Sequence, residues 1–315
     1  MPVTEMSGPQ LAVSGSFSVE RLRHWDRSKR LHAAIAGPIS AGKSTLLNAF
    51  LPTLRNERPD LADVVAVSQE DRDSELLTLY INDAKWSLVF QTVKIEGTER
   101  RRANLEKKVK YRHKTITIIE REIEENRVFA LANTVFGNMT REDYDVWYCT
   151  HFEKLEARTK QMPSPHIWFF LYTRQDVANK RMNSRAVDSE NEYENDYLSA
   201  LYDTYFHWVL RMLASGQRIH VLDWNRFGHA SEVLGLMADC QQGQLTTATA
   251  EYDYTDVDFL DKPAPNYLLV EAAGGSQEAW PFAQISERRT AQYHVFSLLA
   301  KQTSVKVSYA EGKPF

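Results

Sequence analysis

LHAAIAGPISAGKSTLLNAF, residues 31–50, contains an uninterrupted G-x-x-x-x-G-K-S from Gly37 to Ser44. An apolar run, Ala33 to Ala36, leads in, and the helical pattern Thr45, Leu46, Leu47, Ala49, Phe50 leads out. That strand–loop–helix setting is what gives such a match its meaning. Glycines at 37 and 42, spaced by Pro38, Ile39, Ser40 and Ala41, let backbone N–H groups turn inward around a phosphate chain without a Cβ in the way. The helix opening at Lys43, Ser44 and Thr45 adds its positive dipole end to the same phosphates. Lys43 supplies a mobile charge for β/γ oxygens, and the Ser44 hydroxyl suits magnesium. The segment is expected to bind a nucleoside triphosphate.

Outward from it, composition limits the alternatives. The 315 residues are 43% hydrophobic and 25% charged, the profile of a soluble globular protein. A net charge of −4 gives no bulk electrostatic case for nucleic acid or a membrane surface. Two cysteines, Cys149 and Cys240, imply a reducing compartment and no disulfide framework. No apolar run approaches the roughly 18 residues of a membrane span. Residues 1–30 mix Ser and Arg with Glu5, Glu20 and Asp26, which gives a mitochondrial transit peptide little support. The cytosol is the expected compartment.

Three divisions follow: a tail and lead-in helix over 1–30, an α/β domain over 31–245, and an extension over 246–315. In the first, Phe17 to Arg30 reads as a short helix. In the second, strands are expected at 33–36, 61–68, 115–119, 166–172 and 218–225, alternating with helices. Five strands with crossover-length links imply one parallel sheet flanked by helices. Such sheets bind ligands at their carboxyl ends. Glu70 falls at the second tip. Glu120-Arg121 falls at the third, where a carboxylate suits magnesium and a guanidinium suits phosphate. Trp86, Phe90 and Gln91 share a helical stretch, and a buried amide such as Gln91 can leave its partners to read a base edge. The charged run 94–114, with Arg100, Arg101 and Arg102 among interleaved glutamates, is expected to be a solvated helix face. The extension carries a candidate strand at 266–271 and a helix at 291–301, but no catalytic signature.

These positions resemble the deoxynucleoside kinase family of P-loop phosphotransferases over roughly residues 30–228. The resemblance rests on Gly37–Ser44, the strand-tip Glu70, the LTLYINDAKWSLVFQT segment beginning at Leu77, Glu120-Arg121, Arg181-x-x-x-Arg185 followed by Ser189-Glu190, and Val221-Leu-Asp223-Trp-Asn225. It implies the P-loop kinase fold with an arginine-rich lid, and ATP-dependent phosphorylation of a nucleoside 5′-hydroxyl. By that likeness Glu70 is the general base and Arg121 its charge-stabilising neighbour. Lys43 holds the β/γ-phosphates, Ser44 and Glu120 the Mg2+ shell, and Arg181 and Arg185 close over the γ-phosphate. Tyr80 and Glu190 grip the sugar, and Trp86, Phe90 and Gln91 surround the base. Asp223 and Asn225 stand in the loop around the adenine. The family also implies a homodimer packed through helices.

The departures are specific. Val187 stands where the family has a third lid arginine, Glu122 where it has a serine, and Lys94 where a small apolar residue shapes the pocket. Purine-accepting members pair an arginine with an aspartate; Thr98 and Asn126 stand there instead, which tilts the expected substrate toward thymidine or deoxycytidine. Competing readings are a switch NTPase, a nucleoside monophosphate kinase, and a kinase-fold accessory subunit. The first lacks its motifs, because Asn179-Lys180-Arg181-Met182 has no final aspartate. The Tyr80/Glu190 pair argues for a nucleoside over a monophosphate. The accessory reading is opposed by intact Lys43, Ser44, Glu70, Glu120 and Arg121.

Overall fold

The structure, a computed structural model, describes residues 16–70, 74–112, 115–154, 165–185, 195–262 and 265–311. The larger of its two sheets has five parallel strands: β1 (Leu31–Ala36), β2 (Val65–Ser68), β3 (Ile116–Glu120), β4 (Ile167–Tyr172) and β5 (Ile219–Asp223), in the order β2-β3-β1-β4-β5. Because side chains alternate across a strand, each strand feeds two cores. Ala33, Ile35, Ile116, Ile118, Phe169 and Leu171 face one layer, formed by α1 (Ser16–Arg23), α2 (Lys43–Glu57) and a later helix, Ala230–Gln241. Ala34, Ala36, Ile119, Trp168, Phe170 and Tyr172 face the other. With both faces covered, the strands read as continuous apolar runs.

The remaining helices are α3 (Pro59–Ala62), α4 (Ser74–Asn82), α5 (Ser87–Arg112), α6 (Ile123–Phe136), α7 (Arg141–Trp147), α8 (Gln175–Ser184), α9 (Asn195–Ala214), α10 (Ala230–Gln241), α11 (Asp256–Asp261) and α12 (Ile285–Ala300). The expected parallel sheet forms, with several local corrections. The second strand starts at Val65, because Pro59 at the first helical position and Asp60 in the first turn make residues 59–62 helical. The helical stretch of Phe90 and Gln91 and the charged run beyond 94 are carried by one helix, α5, with Trp86 in the 3-10 turn just ahead of it. α7 ends at Trp147 and continues as a π-helical turn, Tyr148–Phe152. The solvated face expected along α5 is only partly solvated. Arg101 and Arg102 are buried, the latter paired with Glu122 at 2.8 Å.

The extension is more ordered than its sequence pattern suggests. The candidate strand is β7 (Tyr267–Ala272) and the candidate helix lies within α12. With β6 (Ala250–Glu251), β8 (Gln277–Pro281) and β9 (Val305–Ala310), β7 forms a second sheet, ordered β6-β9-β7-β8. α12 packs Phe296 on Tyr172 and Phe170, with centroids 4.9 and 5.4 Å away. The second core layer is therefore continuous from β4 through α9 into the extension. α9 is apolar nearly all round, and is buried along its length accordingly.

Two polar networks fasten this layer. Asp203 on α9 accepts from Arg288 at 2.8 Å, Arg289 at 2.5 Å and Gln292 at 2.7 Å, all on α12. Asp256 on α11 accepts from His207 of α9 at 2.8 Å and pairs with Arg127 of α6 and Arg211. Burial pushes the Asp256 carboxyl up, but the His207 bond and the two guanidiniums outweigh it and hold the group at about 2, against an ordinary 3.8. Its folded-state pKa is depressed, so its contribution is full above the ordinary value and is lost as pH falls toward the folded value. Asp256→Asn is expected to lower stability at pH 7 and to flatten the loss between about pH 4 and 2. Denaturant midpoints of both proteins across that window measure it.

Candidate active site

The carboxyl ends of the five strands converge on the loop between β1 and α2. Gly37, Ser40 and Gly42 have φ of 152°, 62° and 99°, which turns the loop back on itself. A Cβ on Gly37 would stand 3.0 Å from the Leu171 carbonyl, and one on Gly42 2.5 Å from the Phe227 ring. Both positions require glycine. Lys43 is buried under the loop and donates to the carbonyls of Gly37 (2.6 Å) and Pro38 (3.0 Å). Burial lowers its pKa, opposed by Glu125, Glu120 and Glu70. Ala41 is buried, Ile39 packs on the second core layer, and Thr45 faces solvent.

Parallel pairing of β3 with β1 and β2 brings the acidic tips beside this loop. The Ser44 hydroxyl donates to Glu120 Oε1 at 3.4 Å, and Glu120 Oε2 accepts from the Glu70 backbone N–H at 3.4 Å. Glu70 itself is held between two cations, Arg121 Nε at 3.0 Å and Lys94 Nζ at 3.2 Å. Burial pushes its carboxyl up, but Arg121, Lys94 and Arg101 together hold it below the usual carboxylate range. Arg121 occupies the left-handed region (φ 53°), a conformation costly for a residue with a Cβ. Its guanidinium lies 3.8 Å over the Phe129 ring, and Arg101 donates to its carbonyl at 3.0 Å. Glu122, the departure from serine, caps α6 by accepting from Ile123 N–H and neutralises Arg102.

Tyr80, Phe90 and Gln91 come together on the other side. The Tyr80 and Phe90 rings stack at 4.4 Å, and the Tyr80 hydroxyl donates to Asn133 at 2.8 Å. Gln91 is buried, and its Nε2 has no partner among the described residues, a donor set for a ligand acceptor. Trp86 is half-buried against the same cluster. Asn126 donates to Thr98 at 3.0 Å and to the Glu122 carbonyl at 3.2 Å, so its amide nitrogen is engaged within the protein.

On the far side of the loop, α8 supplies the arginines. Arg181 donates to the carbonyls of Ala41 (3.1 Å), Trp224 (2.8 Å) and Asn225 (3.1 Å) and stacks 4.0 Å over Phe227. Arg185 bonds the Ser40 hydroxyl. Asp223 accepts from the Asn225 backbone and side chain, and Asn225 accepts from Arg174 N–H at 2.8 Å, which shapes the loop after β5. Glu190, Ser189 and Val187 lie outside the described residues.

Sequence reasoning missed two members of the site. Glu125, in the first turn of α6, accepts from Gly37 N–H at 3.1 Å and from the Tyr205 hydroxyl at 2.6 Å. Tyr205 also lies 2.9 Å from the Gly37 carbonyl. Burial raises the Glu125 carboxyl, against Lys43 and Arg121. An acid at that place reads as ordinary helix-dipole complementation, and no local pattern announces its reach to the loop.

Residues 33–239 match the family model described as deoxynucleoside kinase. Among curated proteins, the "Probable deoxycytidine kinase" of fowlpox virus is 26% identical over 233 residues, 71% of this chain and 89% of that protein. The deoxyguanosine kinase of Dictyostelium discoideum is 32% identical over 73 residues, 23% and 26% of the two chains. Among solved structures, deoxyadenosine kinase from M. mycoides with bound dATP superposes with TM-score 0.50 at 17% identity, over 65% of this chain and 96% of that one. Its complex with dCTP gives 0.52 at 18%, over 64% and 95%. The likeness to both structures is one of fold.

Glu125→Ala leaves the buried Gly37 N–H without its acceptor, a loss of roughly 1.5 kcal/mol, and is expected to weaken nucleotide binding about tenfold. Glu125→Gln keeps an acceptor for both donors and should lose less. Titration calorimetry with a nucleoside triphosphate ranks the three proteins.

Proposed function

The chain belongs to the deoxynucleoside kinase family, and we propose that it moves the γ-phosphoryl group of ATP onto the 5′-hydroxyl of a pyrimidine deoxynucleoside, thymidine or deoxycytidine, in cytosolic nucleotide salvage. The observation that carries this reading is the pair Glu70–Arg121, across the neighbouring tips of β2 and β3 beside the phosphate loop, 3.0 Å apart.

Phosphoryl transfer to a hydroxyl needs little covalent help from protein; it needs alignment and charge compensation. Glu70 is ionised, so it accepts the 5′-hydroxyl proton as the oxygen attacks. Arg121 stabilises charge on the moving phosphoryl group. Lys43, Arg181 and Arg185, already turned to the loop, compensate the equatorial oxygens. The Ser44 hydroxyl and Glu120 carboxylate fit magnesium, a hard cation that draws its other ligands from phosphates and water. Bound there, magnesium neutralises phosphate charge. Tyr80 and Glu190 would meet the sugar, Phe90 and Trp86 the base, and Gln91, through its unpartnered amide, a base edge.

One feature supports a pyrimidine: Thr98 and Asn126, at the positions of the purine-accepting ion pair, are bonded to each other. In this reading residues 31–245 carry the chemistry and 246–315 brace them. A homodimer built on helices would have to use faces other than α9, whose side chains are spent inside the chain.

The test is ATP-dependent transfer to each of the four deoxynucleosides. Transfer to thymidine or deoxycytidine is expected, and Glu70→Gln should lower kcat on the order of 100-fold or more while ATP still binds. ATP binding without transfer to any nucleoside would point to an accessory protein, and purine preference would reverse the base assignment.

A further inference from the structure

Lys94 has no part in the mechanism above, yet its ammonium ends inside the site. It lies on α5, one turn beyond Phe90, at a position where the family resemblance calls for a small apolar residue. A surface lysine normally lays its stem on apolar groups and keeps its charge in water. Here the stem passes Phe90 and the charge turns inward to Glu70 Oε1, at 3.2 Å. The two side chains are only 14% and 15% exposed. Arg121 takes the other carboxylate oxygen.

We propose that Lys94 is a positioning residue for phosphoryl transfer, fixing the plane of the Glu70 carboxylate. The proposal rests on Glu70 being the base. A carboxylate bonded through one oxygen can rotate about its last bond, whereas cations on both oxygens, one from β3 and one from α5, hold its plane. Each oxygen keeps a second lone pair, so a hydroxyl still finds an acceptor. Among the described residues, the groups facing Glu70 are Lys94 and Arg101 from α5, Arg121 and Glu120 from the β3 tip, Lys43 from the phosphate loop and Tyr205 from α9. Of the three cations near it, Arg101 is tied to Thr98 and the β3-tip carbonyls, and Arg121 pairs with Oε2 while it stacks on Phe129. Lys94 supplies the ion pair to Oε1.

Wild type, Lys94→Met and Lys94→Arg are compared in kcat, KM for ATP and KM for the deoxynucleoside that wild type phosphorylates. Lys94→Met is expected to lower kcat on the order of tenfold, because the attacking oxygen then meets a carboxylate free to rotate, with KM for ATP unchanged. Lys94→Arg, which returns a cation to the same carboxylate oxygen, should restore kcat. A kcat in Lys94→Met equal to that of wild type, or a loss that Lys94→Arg does not restore, overturns the proposal. Should Lys94→Met fail to fold, Lys94→Gln, which keeps a polar tip without the charge, is read the same way. A wild type that transfers phosphate to no deoxynucleoside removes the kinase reading, whereas a wild type that does and a Lys94→Met that matches it remove the positioning role alone.

Discussion

Gly37 is bound on every side. Its N–H is taken by Glu125, its carbonyl by Lys43 with the Tyr205 hydroxyl 2.9 Å away, and the space a Cβ would need by the Leu171 carbonyl. One residue thereby ties together β1, the loop, α2, α6, α9 and β4. The loop can hold a phosphate chain only if its N–H groups point inward before the ligand arrives. That orientation requires a backbone conformation that must be imposed from outside. The buried carboxylate of Glu125 and the hydroxyl of Tyr205 impose it from behind, which explains why ionisable groups sit in an otherwise apolar layer.

The second centre of order is Glu70, whose burial would by itself favour the neutral acid. Arg121, Lys94 and Arg101 reverse that preference. Arg121 is in turn held in a strained backbone by Arg101 beneath and Phe129 alongside. Strain and desolvation are thus concentrated at two neighbouring strand tips, and the rigid parallel register of β1, β2 and β3 bears them.

The parallel sheet and the phosphate loop were legible in the sequence because their signals are local. An apolar run, a glycine pattern and a helical period stand within twenty residues of one another. Strand tips were legible because a parallel sheet fixes which end binds. Lys94 was seen as a departure without a purpose, since its partner lies on another element. Glu125 and Tyr205 act on Gly37 from α6 and α9, and no periodicity encodes such a contact. Arg101 and Arg102 belong to a run that reads as solvated. The structure differs because Glu122 and the β3-tip carbonyls are there to receive them. The second sheet escaped notice because β6 has two residues and β8 has mostly exposed side chains, so neither alternates clearly.

α8 carries Arg181 and Arg185 toward the phosphate loop from its C-terminal half. At its other end, Gln175 receives Arg289 at 2.8 Å through its side chain and donates from its backbone to Tyr293 at 3.1 Å. Both partners belong to α12, and Arg289 is also tied to Asp203. The helix is therefore a lever whose fulcrum lies in the extension. Over evolutionary time these residues cannot drift independently, because a change at position 289 or 293 moves the arginines without touching them. Descendants that trim or replace the last seventy residues would have to re-anchor residue 175, or else live with a differently pitched lever.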